Sequence, residues 1–197
     1  MVDLHWKRVI RFGGAMMLEA KLIRIMKTYE HLMRDLRLVQ GLGLSHWCIA
    51  AGYVRNHVWD YLHGYSARTP LHDVDVIYFD ASDLTEESEK RYEHLLRKEV
   101  NDYNWSFKNQ ARMHARNREK PYASITDAMK RWPETATAVG ISLEGNDIKV
   151  TAPHGLDDLF HLVIRRSPYF TDQDDFYARI ERKKWLEYWP QLKIVDE

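Results

Sequence analysis

Residues 48–80 read CIAAGYVRNHVWDYLHGYSARTPLHDVDVIYFD, a pattern of strand, tight turn, helix, loop and strand. The apolar run Trp47–Ala51 predicts a short strand, and the small pair Ala51-Gly52 predicts the turn that ends it. Tyr53–His63 predicts a helix closed by Gly64, and Ser66–Leu71 predicts a loop. Val74–Phe79 predicts the second strand. Side chains alternate along a strand, so Asp73 and Asp75 share one face while Val74 and Val76 share the other. Like charges held side by side repel, and a chain that places them there has use for a cation between them.

Outward from this stretch, the pattern supports one α+β (mixed α/β) domain over residues 1–197, a small mixed sheet flanked by helices. Residues 1–14 are mixed in character and predict a loosely ordered segment. Residues 15–40 predict a helix: Met17, Leu18, Leu22, Ile25, Met26, Tyr29, Leu32, Met33 and Leu36 recur at spacings of three and four, and Gly41-Leu42-Gly43 stops it. Downstream, Asp83 or Thr85 caps a helix that runs to about Val100, with Glu86 and Glu87 at its positive end. Trp105–Asn109 predicts a third strand, and the basic segment from Lys108 to Lys120 predicts a loop. Ser124 or Thr126 caps a short helix that ends at Trp132-Pro133. Thr135–Leu143 and Ile148–Thr151 predict a hairpin turning at Gly145-Asn146. Gly155–Ile164 predicts a short helix, with Asp157-Asp158 at its cap. Asp172–Trp189 predicts the last helix, on which Trp185 and Trp189 are core contacts.

The totals narrow the function classes. Lys plus Arg (29) balance Asp plus Glu (29), so the chain lacks the basic excess of a general nucleic-acid binder. A single cysteine, Cys48, stands in an apolar run and forms no intrachain disulfide, which fits a reducing compartment. No export signal and no apolar stretch of membrane-spanning length is evident, so the expectation is a soluble cytoplasmic protein without a membrane partner.

The paired aspartates are the sharpest chemical signal. Magnesium takes oxygen ligands, commonly one or two carboxylates together with substrate phosphates. The turn at Ala51-Gly52 opens a helix whose free N–H groups suit an anion, and Arg55 and Asn56 lie in its first turn. Arg55 reads either as a phosphate ligand or as an ion pair with Asp60. The segment Lys108, Arg112, His114, Arg116, Arg118 and Lys120 reads either as a grip for a triphosphate or anionic acceptor, or as a solvated loop. Lys108, Asn109, Arg112 and His114 lie closest to the sheet and are the candidates there. Zinc spacing, a P-loop and a G-x-S-x-G elbow are all missing from the sequence.

This arrangement resembles the nucleotidyltransferase superfamily with the polymerase-beta-like fold, whose motif is a small-residue turn at a helix start followed by Asp-x-Asp on the next strand. Six segments in order are similar to a bacterial family of nucleotidyltransferase-like proteins: IAAGYVRNHVWDYLHG, TPLHDVDVIYFD, KNQARMHARN, RWPETATAVGI, APHGLDDLF and YWPQLKI. The resemblance covers roughly Leu44 to Ile194. It implies an enzyme that moves a nucleoside monophosphate from a nucleoside triphosphate to an acceptor, a small molecule or a protein, with a tRNA end left open. Asp73 and Asp75 would be the catalytic, metal-holding pair for magnesium or manganese. Ala51, Gly52, Arg55, Asn56, Lys108, Asn109, Arg112 and His114 would serve the nucleotide. Two departures stand out. The first turn residue is Ala51 rather than glycine, and the strand that usually carries a third carboxylate reads WSFKNQARMH, without an acid. Glu134, Glu144, Asp157 and Asp158 are the candidates to replace it. The competing readings are a nucleotide-binding regulatory module that has kept the fold without the chemistry, and an antitoxin-like interaction protein using the first helix.

Overall fold

The computed structural model describes the backbone of residues 3–195 and the side chains of residues 14–195. Nine helices and seven strands are described, in the order α1 (Asp3–Met26), α2 (Leu32–Gln40), β1 (Trp47–Ala50), α3 (Gly52–Leu62), β2 (Asp73–Tyr78), α4 (Glu86–Glu99), β3 (Asn104–Asn109), α5 (Gln110–Asn117), α6 (Ile125–Lys130), β4 (Gly140–Glu144), β5 (Asp147–Thr151), α7 (Asp157–Phe160), β6 (Val163–Arg165), α8 (Gln173–Lys183), α9 (Trp185–Tyr188) and β7 (Lys193–Val195). Five strands form a mixed sheet in the order β3-β2-β1-β4-β5. Within this sheet only β2 and β3 run parallel, and α4 makes the crossover between them; its other pairs are antiparallel. The expected α+β architecture is therefore the observed one.

The alternation read from residues 73–78 sets the layers. Val74, Val76 and Tyr78 enter the main core, where Ile49, Trp105, Phe107 and Ile141 meet apolar side chains of α1, α2 and α3. Ile77 faces the other way, into a smaller cluster with Cys48, Ala50 and Met129 under α6. Asp73 and Asp75 share the face of Ile77, as period two requires. Burying the aliphatic side chains on both faces contributes roughly 25 cal/mol per Å² of apolar surface removed from water. The Cys48 side chain fills the space over Gly140 on β4, where a Cβ would lie 2.5 Å from Cys48 Sγ. Cys48 is thus a buried apolar filler, and burial pushes its thiol up to about 12.

Several expected boundaries are corrected. The backbone is helical from Asp3, through most of the segment expected to be loose; the side chains of residues 1–13 lie outside the described residues. The single helix expected over 15–40 is two, α1 and α2. The break comes where Thr28 N–H turns back to Ile25, Tyr29 N–H turns back to Met26, and the Thr28 hydroxyl adds a bond to the same Ile25 carbonyl. The apolar spacing continues across this break because both pieces pack on the same core. The basic segment is a helix, α5, not a loop. Asn109 caps it by accepting from the Ala111 N–H at 3.1 Å. The strand expected from Thr135 begins at Gly140; residues 134–139 form a buried turn in which the Glu134 carbonyl accepts from Thr137 and Ala138. The last helix breaks at Lys184, which takes φ 54°, and a two-stranded parallel pair, β6 with β7, was not foreseen.

Candidate active site

The first strand ends at Ala50, which pairs with Asp75 across the sheet. The chain then turns sharply at Ala51, with φ 54° and ψ −124°, a conformation that glycine adopts freely and other residues adopt under strain. That turn aims the N-terminus of α3 at the aspartates, and among the described residues no side chain caps the helix start. Val54 and Arg55 N–H groups donate to the Ala51 carbonyl, so the first two N–H groups, of Gly52 and Tyr53, are the ones a helix leaves open.

A cavity of about 490 Å³ opens beside this turn. Its walls come from three places: the helix start (Ala51, Gly52, Arg55, Asn56), the acidic strand with its approach (Leu71, His72, Asp73, Asp75), and the end of α8 with α9 (Arg179, Arg182, Lys183, Lys184, Trp185). The two aspartates therefore face five cations. Asp75 accepts a hydrogen bond from Ser106 on β3, yet its carboxyl is pushed up to about 6. Burial is the main cause and the neighbouring Asp73 the second; Ser106, Lys183 and Arg55 pull the other way.

Arg55 is buried and makes no ion pair with Asp60. Its guanidinium lies 4.3 Å from the Trp185 ring centroid and 5.1 Å from that of Trp59. It donates to Thr137 Oγ1 at 2.7 Å and to Asn56 Oδ1 at 2.8 Å, and its Nε has no partner. Burial brings its pKa down to about 10, against the opposing pull of Glu134. Asp60 instead accepts from Trp189 Nε1 at 2.8 Å and from Thr69 N–H at 3.0 Å, fastening α9 and the loop before β2 to α3. Trp185 and Trp189 pack on Trp59, in the core as expected.

The sequence candidates thus divide. Ala51, Gly52, Arg55, Asn56, Asp73 and Asp75 come together on one cavity. Asn109, Arg112 and His114 lie outside it, at the joint between β3, α5 and α4. Arg112 makes a two-pronged bond to Glu89, both contacts at 2.8 Å. Asn109 donates to the Asp80 and Asp83 carbonyls, and its N–H donates to Glu89. His114 bonds the Ala111 carbonyl. Burial alone would raise Glu89, but the hydrogen bonds from Arg112 and Asn109 hold its carboxyl below the usual range. Lys108 reaches Glu89 and Glu93 at 3.5 and 3.6 Å and also lines a second cavity.

None of the acids considered for the third position joins the pair. Among the described residues, no group of three or more His, Cys, Asp or Glu side chains is placed to hold one metal ion. The β3 residue facing Asp75 is Ser106. Glu134 is buried against Arg179 at 2.7 Å, Asp158 pairs with Arg165 at 3.1 Å, and Glu144 pairs with Lys149 at 3.1 Å. Asp157 sits in the first turn of α7. The sequence reading missed the cations of α8. In linear sequence, Arg179, Arg182, Lys183 and Lys184 are ordinary polar positions of an amphipathic helix; only the turn at Lys184 and the docking of Trp185 bring them over the aspartates.

Known proteins resemble this chain in sequence and in fold. Residues 37–194 match the model of a family described as Nucleotidyltransferase. A solution NMR structure described as revealing a CCA-adding enzyme head domain is 32% identical, with a TM-score of 0.79, over 90% of this chain and 96% of that one. A tRNA-processing enzyme in complex form has a TM-score of 0.52 at 20% identity, over 81% of this chain and 42% of that enzyme, a likeness of fold. No curated protein matches the chain. Among the described residues no helix is long and apolar enough to cross a membrane.

Proposed function

The chain belongs to the nucleotidyltransferase family whose model spans residues 37–194, and from that premise we propose that it transfers a nucleoside monophosphate from a nucleoside triphosphate to an acceptor, with a divalent metal held by Asp73 and Asp75. The observation that carries this reading is the cavity itself: an acidic pair on one strand face, an uncapped helix start beside it, and a row of cations opposite.

The residues fit a divalent ion. Asp73 and Asp75 are hard oxygen donors at alternate positions of β2, and burial together with the neighbouring Asp73 holds the Asp75 carboxyl above its usual range, a penalty that a bound cation would relieve. Magnesium or manganese held by Asp73 and Asp75 would supply positive charge that offsets the charge of the substrate phosphates. The protein does the rest by positioning. The open Gly52 and Tyr53 N–H groups would receive a phosphate at the helix start, and the lack of a side chain at Gly52 would let it come close. Lys183, which has no ion pair among the described residues, and Arg182 offset charge on the leaving pyrophosphate. Arg55, fixed between Trp59 and Trp185, adds an immobile positive charge behind the pair. At the rim, Tyr188 is 38% exposed, a face on which a base would stack.

The test is calorimetric titration of a non-hydrolysable nucleoside triphosphate in magnesium. The wild type is expected to bind, and Asp73→Asn with Asp75→Asn is expected to abolish binding while keeping the fold. Equal binding by the double variant would refute the site. A second reading is favoured by one observation, the lack of a third acidic ligand among the described residues: nucleotide binding without turnover. Metal-dependent pyrophosphate release in the presence of a pool of hydroxyl-bearing metabolites would exclude it.

A further inference from the structure

Asp75, Ala51 and Arg179 are shared by two cavities. The second, of about 360 Å³, extends from them along β3 to α5 and the Trp132-Pro133 turn. Its chemistry differs from that of the first. Ile77, Met113, Trp132 and Pro133 make an apolar wall, and Lys108 and Arg116 join Arg179 as cations. Asp75 is the one carboxylate in its lining. Arg179 is committed to Glu134, and Lys108 is partly committed to Glu89 and Glu93. Arg116, by contrast, is exposed on α5 and makes no hydrogen bond or ion pair among the described residues. A small volume with an apolar wall, an uncommitted guanidinium and one edge on Asp75 has the character of a ligand site.

We infer that this second cavity is the acceptor site, and that the acceptor is a small hydroxyl compound carrying a phosphate or carboxylate group. The inference rests on the nucleotidyl-transfer reading of the first cavity and names the substrate class that reading leaves open. The anionic group pairs with Arg116 and Lys108, and the carbon skeleton lies on Met113 and Trp132. The hydroxyl then reaches the shared edge at Asp75. There its oxygen bonds to the α-phosphorus, the bond from that phosphorus to the bridging oxygen breaks, and pyrophosphate leaves with the electron pair. The hydroxyl proton passes to solvent. A polynucleotide end is disfavoured by the chain's zero net charge, which leaves no basic excess to follow a phosphate backbone.

Amide chemical-shift mapping of the whole chain tests this with glycerol 3-phosphate, neutral glycerol and a non-hydrolysable ATP analogue in magnesium as probes. Glycerol 3-phosphate is expected to move Ser106, Lys108, Met113, Arg116 and Asn117, glycerol to move none of them, and the analogue to move Gly52–Asn56 and Arg182–Trp185. Arg116→Glu, an exposed position that the fold does not use, is expected to weaken glycerol 3-phosphate by about tenfold or more and leave the analogue's affinity unchanged. The inference is overturned if glycerol binds as well as glycerol 3-phosphate, if the variant binds both anions as the wild type does, if the analogue alone fills the second set of residues, or if a short oligoribonucleotide displaces glycerol 3-phosphate from them. An analogue that moves neither set would instead overturn the reading of the first cavity.

Discussion

Replacing Asp75 by asparagine should make the metal-free protein more stable. The side chain keeps its shape and its acceptor for Ser106, and loses only its charge. The carboxyl is pushed from 3.8 up to about 6, by burial first and by Asp73 second. A rise of that size corresponds to at most about 3 kcal/mol, and the residual exposure of the strand end brings a realistic figure to about 2 kcal/mol. For a chain of this size that is a rise in Tm of roughly 4–8 °C. The sign depends on pH. A folded-state pKa above the unfolded one means that the folded protein binds the proton more tightly. The wild type is therefore unpenalised below about pH 4 and loses stability as pH rises towards 6. The variant's advantage should be absent near pH 4, grow to about pH 6 and stay constant above. Thermal melts in chelator across this range, followed by circular dichroism, measure it. Magnesium should then raise the wild-type Tm and leave the variant's almost unchanged. A variant that melts at or below the wild type near pH 7.5 in chelator, or an advantage equally large at pH 4, would refute the view that this carboxylate is held against its own electrostatics.

Three further outcomes follow from the same geometry. Ala51→Gly should stabilise the protein by about 1 kcal/mol in urea unfolding, because glycine relieves a positive φ whose strain exceeds the extra freedom glycine has when unfolded. Gly52→Ala should fold normally, since its Cβ would meet Leu71 Cδ1 at 3.5 Å and Asn56 Nδ2 at 3.7 Å, ordinary contacts; titration should nonetheless show nucleotide affinity falling by about tenfold, or 1.4 kcal/mol, as the methyl keeps the phosphate off the helix start. Arg182→Glu with Lys183→Glu should leave Tm within about 1 kcal/mol equivalent and weaken nucleotide binding most at low salt, and a loss of affinity that does not depend on ionic strength would argue against a through-space role.

The fold was legible wherever periodicity and burial coincided. Asp73 to Tyr78 alternates because one side of β2 is core and the other carries the aspartates, so composition and register said the same thing. It was less legible where tertiary hydrogen bonds override local pattern. Thr135 to Val139 is β-branched enough to read as a strand. Instead it is wound into a turn because Thr135 bonds Asp158 and the Arg165 carbonyl, while Thr137 holds Arg55. Helix α5 was hidden for a similar reason. Its density of charge suggests a solvated loop until Glu89, twenty residues upstream of Asn109, is seen to take both the Arg112 fork and the cap's N–H.

Glu89 also explains why the site itself was only half legible. The basic residues of the downstream segment that sequence reading favoured are the ones at the end of β3, closest to the sheet. An arginine beside a buried carboxylate is drawn to it, however, and Arg112 and Lys108 answer Glu89 and Glu93 on α4. Apart from Arg55, the cations that face Asp73 and Asp75 come from more than a hundred residues away, on α8 and its C-cap, where nothing local distinguishes them. What places them is aromatic: Trp185 and Trp189 close on Trp59, Trp189 is fastened to Asp60, and Lys184 takes the left-handed turn that lets this happen. Arg55 is held by the same rings. The acidic half of the cavity is thus built by strand period, and the basic half by a tryptophan cluster that docks the C-terminal helices. The two halves should fail differently. Trp185→Ala should loosen α9 and slow or weaken nucleotide capture while leaving the β2 aspartates in register. The Asp75 substitution should do the reverse, keeping the docked helices and raising the melting temperature.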